Sequence, residues 1–159
     1  MEETEPPESL ISRALWETQH AVERALDTQL SSLGLSMTLF GALTFIAMEP
    51  GLSAADLARR ARVKPQSSAH AVARLEQLGM VYRSPHPVHG RVMQLFLTGH
   101  GQELIAEAWR LSARVEGELM DELPPAARAE LLVSLRRIRF RAERFEAVRR
   151  AAGEPDLTG

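Results

Sequence analysis

The sequence between residues 51 and 98 constrains the fold most, because it carries the start and stop signals of two closely spaced helices. Ser53 has Asp56 three residues after it, which is the pattern of a capping box at a helix start. Pro65 suits the first position of a second helix, and Gly79 suits its end. These signals predict a helix over 54–61, a short turn and a helix over 65–78.

Two short strands are predicted after these helices. Residues 91–98 alternate between two sets of side chains, a period of two residues that is typical of a strand. Residues 80–83 read as a second short strand, and the loop between them, residues 84–90, holds two prolines and a glycine. The pattern predicts an antiparallel hairpin.

Helical patterns lie on both sides of this segment. Apolar spacing predicts a helix over 9–32 and a strongly apolar helix from Ser36, its cap, to Met48. Two more helices are predicted near the end of the chain, separated by Pro124 and Pro125. The last one carries a coiled-coil seam of Leu131, Leu135, Ile138, Ala142 and Phe145. Packing within the chain's own core and pairing with a second copy explain this seam equally well.

The charge of the chain is unevenly distributed. The 159 residues have a formal net charge of −2 at pH 7, which by itself argues against a nucleic-acid partner. Residues 51–98, however, have a balance of +5, whereas residues 1–50 have −6 and residues 99–159 have −1. The basic charge is therefore concentrated in the segment of paired helices and hairpin, where a phosphate-bearing partner would meet it.

This order of elements is that of a winged helix-turn-helix, and the predicted fold class is mainly α with a small β-hairpin wing (α+β). A helix fits the DNA major groove, and the hairpin reaches neighbouring phosphates or the minor groove. The stretch 35–101 resembles the MarR (multiple antibiotic resistance regulator) family of bacterial transcription regulators. The resemblance rests on residues 52–58 (LSAADLA), 63–65 (VKP), 74–81 (RLEQLGMV), Arg83 and 97–101 (LTGHG).

The resemblance implies a homodimer that binds a pseudo-palindromic site on double-stranded DNA, with repression as the expected outcome. It divides the chain into an N-terminal dimerisation helix (1–34), the winged domain (35–101), C-terminal dimerisation helices (102–151) and a frayed tail (152–159). The alternative is a winged-helix module that binds other proteins and no DNA. No membrane span, targeting segment or cofactor is expected, and the predicted location is the cytoplasm.

The resemblance also implies that the second of the paired helices reads the major groove. The residues predicted to contact DNA are Lys64, Gln66, Ser67, Ser68, His70, Arg74, Arg83 and Arg91. Gln and Arg have the geometry for two-pronged contacts with adenine and guanine edges. Three other roles stay open: a salt bridge within the fold for Arg74, polarity at the helix start for Ser67 and Ser68, and support of the hairpin for Arg83.

Members of the family carry an Asp-x-Arg motif in the wing, and this sequence has His89-Gly90-Arg91 instead. Arg91 takes the minor-groove role that the resemblance implies. His89 replaces the aspartate whose pairing helps to orient the wing, so a looser wing is expected.

His86 and His89 also suggest a metal site or an enzyme. Two histidines without a third or fourth ligand nearby do not make a structural zinc site, and the chain has no cysteine. Spacing offers neither histidine a carboxylate or serine partner for catalysis. Exposed wing residues are the preferred interpretation, and we expect neither a metal site nor an enzyme.

A small anionic aromatic effector, such as an aromatic carboxylate, is the expected small-molecule partner. Arg13, Trp16 and His20 share one face of the first helix, and Met37 and Phe40 follow on the second. Arginine pairs with carboxylates and aromatic rings stack on rings, so these five residues are the predicted effector pocket. The alternative is a partly exposed helix side whose tryptophan packs on the other subunit.

Overall fold

The computed structural model describes residues 10–152, apart from the side chain of Arg150. Six α-helices and one two-stranded antiparallel sheet occur in this range, with a 3-10 turn at 31–33. The helices are α1 (Ile11–Leu30), α2 (Met37–Met48), α3 (Ala54–Ala61), α4 (Pro65–Gln77), α5 (Gly99–Leu119) and α6 (Pro125–Ala151), and the strands are β1 (Val81–Pro85) and β2 (Met93–Leu97). The predicted fold class is confirmed. Most of the predicted tail lies outside the described residues.

The helix ends follow the capping signals of the sequence. The Ser53 hydroxyl accepts a hydrogen bond from the Asp56 backbone N–H, and the Asp56 carboxylate accepts one from the Ser53 backbone N–H, which completes the capping box of α3. Pro65 is the first residue of α4, and Gly79 just beyond its end has a positive φ of 69°. These ends were predictable because they depend on residues adjacent in sequence.

The hairpin differs from its prediction in where the strands begin and end. β1 extends to Pro85, which pairs with Met93, although residues 84–90 were predicted to be loop. Proline is tolerated at this position because it lies at the last pair of a two-stranded sheet, where its missing N–H costs little. Beyond it, the His86 N–H still donates to the Val92 carbonyl at 2.8 Å.

The chain forms two compact units, one up to Val115 and one from Glu116 onward. The core of the first unit contains side chains from α1 to α5 and both strands. Its largest fully buried side chains are Leu30, Leu43, Ile46, Leu57, Val72, Leu75 and Leu95. These contacts hold α3 against α2 and β2, and α4 against α2 and β1.

The second unit contains the end of α5 and the long helix α6. The Arg128 guanidinium donates to the Leu123 carbonyl at 2.7 Å and ties the first turns of α6 to the proline break. The seam residues of α6 stay exposed: Leu135 keeps 38% of its surface accessible and Phe145 keeps 65%.

Within residues 10–152, no single helix has the length and apolar character needed to cross a membrane. The segments Ile11–Leu33 and Met37–Met48 together meet that criterion of length and composition, but they are bent by 78° relative to each other.

Candidate nucleic-acid interface

Helix α4 has one buried face and one polar exposed face. Ala71, Val72 and Leu75 are buried in the core, whereas Gln66, Ser67, His70 and Arg74 are exposed. The exposed residues recur at steps of three and four, so they lie along one side of the helix. Four of the residues predicted to contact DNA therefore share one solvent-facing surface.

Ser68 does not belong to this surface, and its predicted contact with DNA is wrong. The residue is 2% exposed, and its hydroxyl donates to the Ala54 carbonyl at 3.0 Å. This hydrogen bond joins α4 to the start of α3. The sequence analysis left open polarity at the helix start for Ser68, whereas the structure shows a hydrogen bond between two helices.

Arg74 lies at the far end of the exposed face and contacts a residue that the sequence analysis did not select. Its guanidinium donates to the Gln77 side-chain oxygen at 3.4 Å. Gln77 lies three residues further along the same exposed side, so the helical spacing could have identified it. Among the described residues, Arg74 makes no salt bridge, which was its alternative role.

Arg83 connects the wing to α4. Its Nε lies 2.9 Å from the Glu76 Oε1, and both side chains are about one third exposed, at 36% and 31%. The pair links β1 to the end of α4, which supports the hairpin-supporting role over a direct phosphate contact.

The wing tip is ordered by His86, a role that the sequence analysis did not assign. The His86 Nδ1 accepts hydrogen bonds from the backbone N–H groups of Val88 and His89, each at 3.1 Å. The His86 and His89 rings lie 5.1 Å apart, and the Val92 N–H donates to the His89 carbonyl at 2.8 Å. His86 is half-buried rather than exposed.

Arg91 and Lys64 supply charge at the two ends of this surface. Both are exposed, Arg91 in the wing turn and Lys64 at the start of α4, and within residues 10–152 neither makes an ion pair. Three other arginines of the basic segment are paired: Arg59 with Asp56, Arg60 with Glu49 at 2.7 Å, and Arg83 as above.

The residues predicted for an effector pocket do not line one cavity. The Arg13 Nε pairs with Glu17 at 2.8 Å, and this hydrogen bond, with the charge of Glu17, raises the pKa of Arg13 above its usual value. Trp16 is 60% exposed, and its ring lies 4.3 Å from that of His20. Met37 and Phe40 instead pack against the core of the first unit.

A cavity of about 380 Å³ lies directly behind α4, and Met37 is the only predicted pocket residue that lines it. Its walls come from α1, α2, α3 and α4, with Ser67 and Ala71 on the α4 side. Phe45 supplies an aromatic ring, and Arg60 and Glu23 supply opposite charges. Sequence reasoning missed these residues because α3 and α1 reach the cavity only through tertiary packing.

No group of three or more histidine, aspartate or glutamate side chains within residues 10–152 is arranged to hold a metal ion.

Comparison with known proteins identifies the family. Residues 33–92 match the family model described as "MarR family". One relative is Mb0904 of Mycobacterium bovis, which is named an uncharacterized HTH-type transcriptional regulator. It is 35% identical to this chain over 89 residues, which cover 56% of this chain and 62% of Mb0904. The HTH-type transcriptional repressor Rv2887 of Mycobacterium tuberculosis is 39% identical over 79 residues, which cover 50% of this chain and 57% of the repressor. The chain thus spans less than two thirds of either relative.

Solved structures extend the similarity to most of the chain. The transcriptional repressor CouR, bound to a 23-mer DNA duplex, superimposes with a TM-score of 0.76 at 26% identity and covers 81% of this chain and 92% of CouR. Rv2887 in complex with salicylic acid gives a TM-score of 0.70 at 26% identity, over 83% of this chain and 98% of that one.

The helix pair, the exposed face of α4 and the hairpin define a winged helix-turn-helix protein. Over residues 33–92 the chain matches the MarR family.

Proposed function

We propose that the protein is a transcription regulator, acting as a repressor, that binds a pseudo-palindromic site on double-stranded DNA as a homodimer. The observation that carries this proposal is the exposed face of α4, with Gln66, His70 and Arg74 along one side. Side chains of these types on a helix surface suit contacts with base edges and phosphates in the major groove. The family relation and the DNA complex of CouR support it.

An electrophoretic mobility shift with the DNA upstream of the protein's own gene tests DNA binding. We expect a specific shift that weakens steeply with salt. The Gln66→Ala variant should lose about tenfold in affinity and relax the sequence preference, because a good base contact contributes ~1–3 kcal/mol. Arg91→Ala should weaken binding to all sequences.

Arg110→Ala is the matched control, because its guanidinium is hydrogen-bonded to its own helix at the Ala106 carbonyl. It should bind as the wild type does. The absence of any specific shift would favour the alternative of a module that binds other proteins.

The exposed seam of α6 supports the homodimer. Leu131, Leu135 and Ile138 recur at coiled-coil spacing, and each keeps about two fifths of its surface accessible, at 41%, 38% and 40%. Apolar surface of this kind is rarely left exposed in a monomer. A two-fold interface places the same surface of both copies against each other, as a pseudo-palindromic site requires.

Sedimentation equilibrium measures the assembly. The Ile138→Glu variant, which places a charge in the seam, should shift the protein toward monomer. Arg136→Glu, two residues away and on the opposite side of α6, should stay dimeric. A monomeric wild type, or equal dissociation of both variants, would contradict the seam as the interface.

We also propose that a small anionic aromatic molecule occupies the 380 Å³ cavity behind α4 and releases the DNA. Arg60, which also pairs with Glu49 at 2.7 Å, supplies the cation and Phe45 the ring. Ser67 and Ala71 of α4 form part of the wall. A ligand that prefers one position of α4 shifts the population toward that position and lowers DNA affinity. The salicylic acid complex of Rv2887 supports this class of ligand.

Thermal-shift titration with salicylate distinguishes this cavity from the pocket predicted on α1. We expect salicylate to raise the Tm of the wild type and of Arg13→Ala, but not of Arg60→Ala. The reverse pattern, with Arg13→Ala insensitive, would restore the predicted site of Arg13, Trp16 and His20.

A further inference from the structure

A second cavity, of about 390 Å³, lies at the base of the wing. It is lined by both strands of the wing, by the end of α2 and by α5. Tyr82 comes from β1, Phe96 from β2 and Trp109 from α5. No lining residue is shared with the first cavity.

Three aromatic side chains surround this cavity in a chain that contains two tryptophans, one tyrosine and five phenylalanines. Tyr82 and Phe96 stack with ring centroids 5.6 Å apart and planes inclined by 25°. The Trp109 Nε1 donates to the Thr44 hydroxyl at 3.3 Å, which fixes the direction of the indole ring. The rings are therefore held in place before any ligand arrives.

Two of these rings are incompletely covered by the chain. Tyr82 keeps 49% of its surface exposed and Trp109 keeps 41%, although Phe96 is half-buried. A flat ligand inserted between them would cover apolar ring surface that water now contacts, which favours binding. Aromatic pairs add a preference for stacked or edge-to-face geometry.

The charge of the lining selects the class of ligand. The described lining of this cavity contains no acidic or basic side chain, and Gln102 contributes an amide to it. The first cavity, by contrast, has Arg60 and Glu23 in its wall. A carboxylate would find no cation here, whereas a neutral aromatic molecule with one hydroxyl or amide group finds rings and a hydrogen-bonding partner.

We propose that the wing-base cavity is a second small-molecule site, which binds a neutral molecule of one or two fused aromatic rings. Its volume lies near the lower end of the range of small-molecule pockets, roughly 300–1,000 Å³, which sets this ligand size. The ligand touches both wing strands and α5 at once, so it holds the hairpin against the body of the first unit. Ligand binding at the wing-base cavity does not depend on the proposed binding of DNA.

The test is a titration of the ¹⁵N-labelled full-length protein with 2-naphthol, followed by the indole N–H signals of the two tryptophans. The Trp16→Phe variant assigns the remaining indole signal to Trp109. We expect the Trp109 signal to shift and saturate, while the Trp16 signal of the wild type stays unchanged.

Two substitutions at Tyr82 give the matched comparison. Tyr82→Ala should raise the Kd for 2-naphthol about tenfold, because it removes one of the stacking rings, and Tyr82→Phe should retain the wild-type Kd. The circular dichroism of both variants checks that the fold is intact, and the half-exposed position of Tyr82 favours this.

Salicylate provides the ligand control. It should leave the Trp109 signal unchanged, because the wing-base cavity offers no cation. An unshifted Trp109 signal, equal shifts at both tryptophans without saturation, or the same Kd for wild type and Tyr82→Ala would overturn the proposal. A shift of the Gly41 amide of the first cavity in place of Trp109 would overturn it as well.

Discussion

The wing tip of this protein depends on one imidazole, and its removal should weaken DNA binding without unfolding the chain. In His86→Ala the backbone N–H groups of Val88 and His89 lose their shared acceptor, the His86 Nδ1, which lies 3.1 Å from each nitrogen. A hydrogen bond of this kind contributes ~0.5–1.5 kcal/mol net, and the low end applies because water reaches the exposed tip. Two such bonds give about 1 kcal/mol.

This free energy is expected to appear as a loss of DNA affinity. In the wild type the turn that precedes Arg91 is already ordered, whereas the variant must order it when it binds. A cost of about 1 kcal/mol per wing raises the Kd roughly fivefold for one wing, and about 25-fold when both wings of a dimer engage. The Tm should stay nearly unchanged, because the tip contributes no buried side chain to the core.

Fluorescence anisotropy with labelled operator DNA at fixed salt measures the effect. His86→Asn should recover part of the affinity, since its side-chain oxygen supplies an acceptor near the position of the Nδ1. His89→Ala is the matched control, because the His89 ring only contacts the His86 ring at 5.1 Å and should matter less. The reasoning is refuted if His86→Ala binds as tightly as the wild type, or if His89→Ala loses more affinity than His86→Ala.

Three further predictions concern stability and its separation from DNA binding. Ser68→Ala should lower the free energy of unfolding by about 1 kcal/mol in urea and leave DNA affinity unchanged, because its hydroxyl bonds inside the fold. Hydrogen bonds from the hydroxyl and then the backbone N–H of the capping serine lower the pKa of Asp56 below its ordinary value of 3.8. The Asp56 carboxylate therefore stabilises the fold at pH values above the unfolded-state pKa, and this stabilisation is lost as the pH falls through the lower folded-state pKa. Asp56→Asn should lower the free energy of unfolding by about 1 kcal/mol near pH 7 and by progressively less in acid. Gly101→Ala should lower the free energy of unfolding by ~1–3 kcal/mol, because its Cβ would collide with the Met80 carbonyl oxygen. Gly117→Ala on the same helix has open space around its Cβ and should not destabilise the fold. Equal effects of the two substitutions would contradict this packing argument.

The parts of the fold that depend on neighbouring residues were predictable from the sequence. The start of α3 follows from Ser53 and Asp56, and the bounds of α4 follow from Pro65 and Gly79. The strand end at Pro85 was missed because a proline is a loop signal in a sequence, and only its partner strand shows that its missing N–H is harmless.

The site was predictable at the level of a helix face but not at the level of single hydrogen bonds. Ser68 lies three and four residues before the buried Ala71 and Val72, so the helical spacing itself places it on the core side. The pairing of Arg83 with Glu76 and the role of His86 at the wing tip follow from how β1 leaves α4, which no local pattern states. The cavity behind α4 needs α1, α2 and α3 together, and spacing along one helix cannot predict it.

The charge distribution also shows that a pattern along the sequence does not predict tertiary contacts. A balance of +5 over residues 51–98 counts every arginine equally, yet Arg60 is held by Glu49, which belongs to the acidic segment before it. Arg83 is likewise held by Glu76, so its charge supports the wing rather than facing outward. Two exposed cations, Lys64 at one end of α4 and Arg91 in the wing turn, flank the polar face of the helix, and Arg74 lies on that face. Cations at the two edges of the surface contact phosphates and so position the duplex. The polar face of α4 between these cations is then free to contact base edges, and sequence-specific binding requires both kinds of contact.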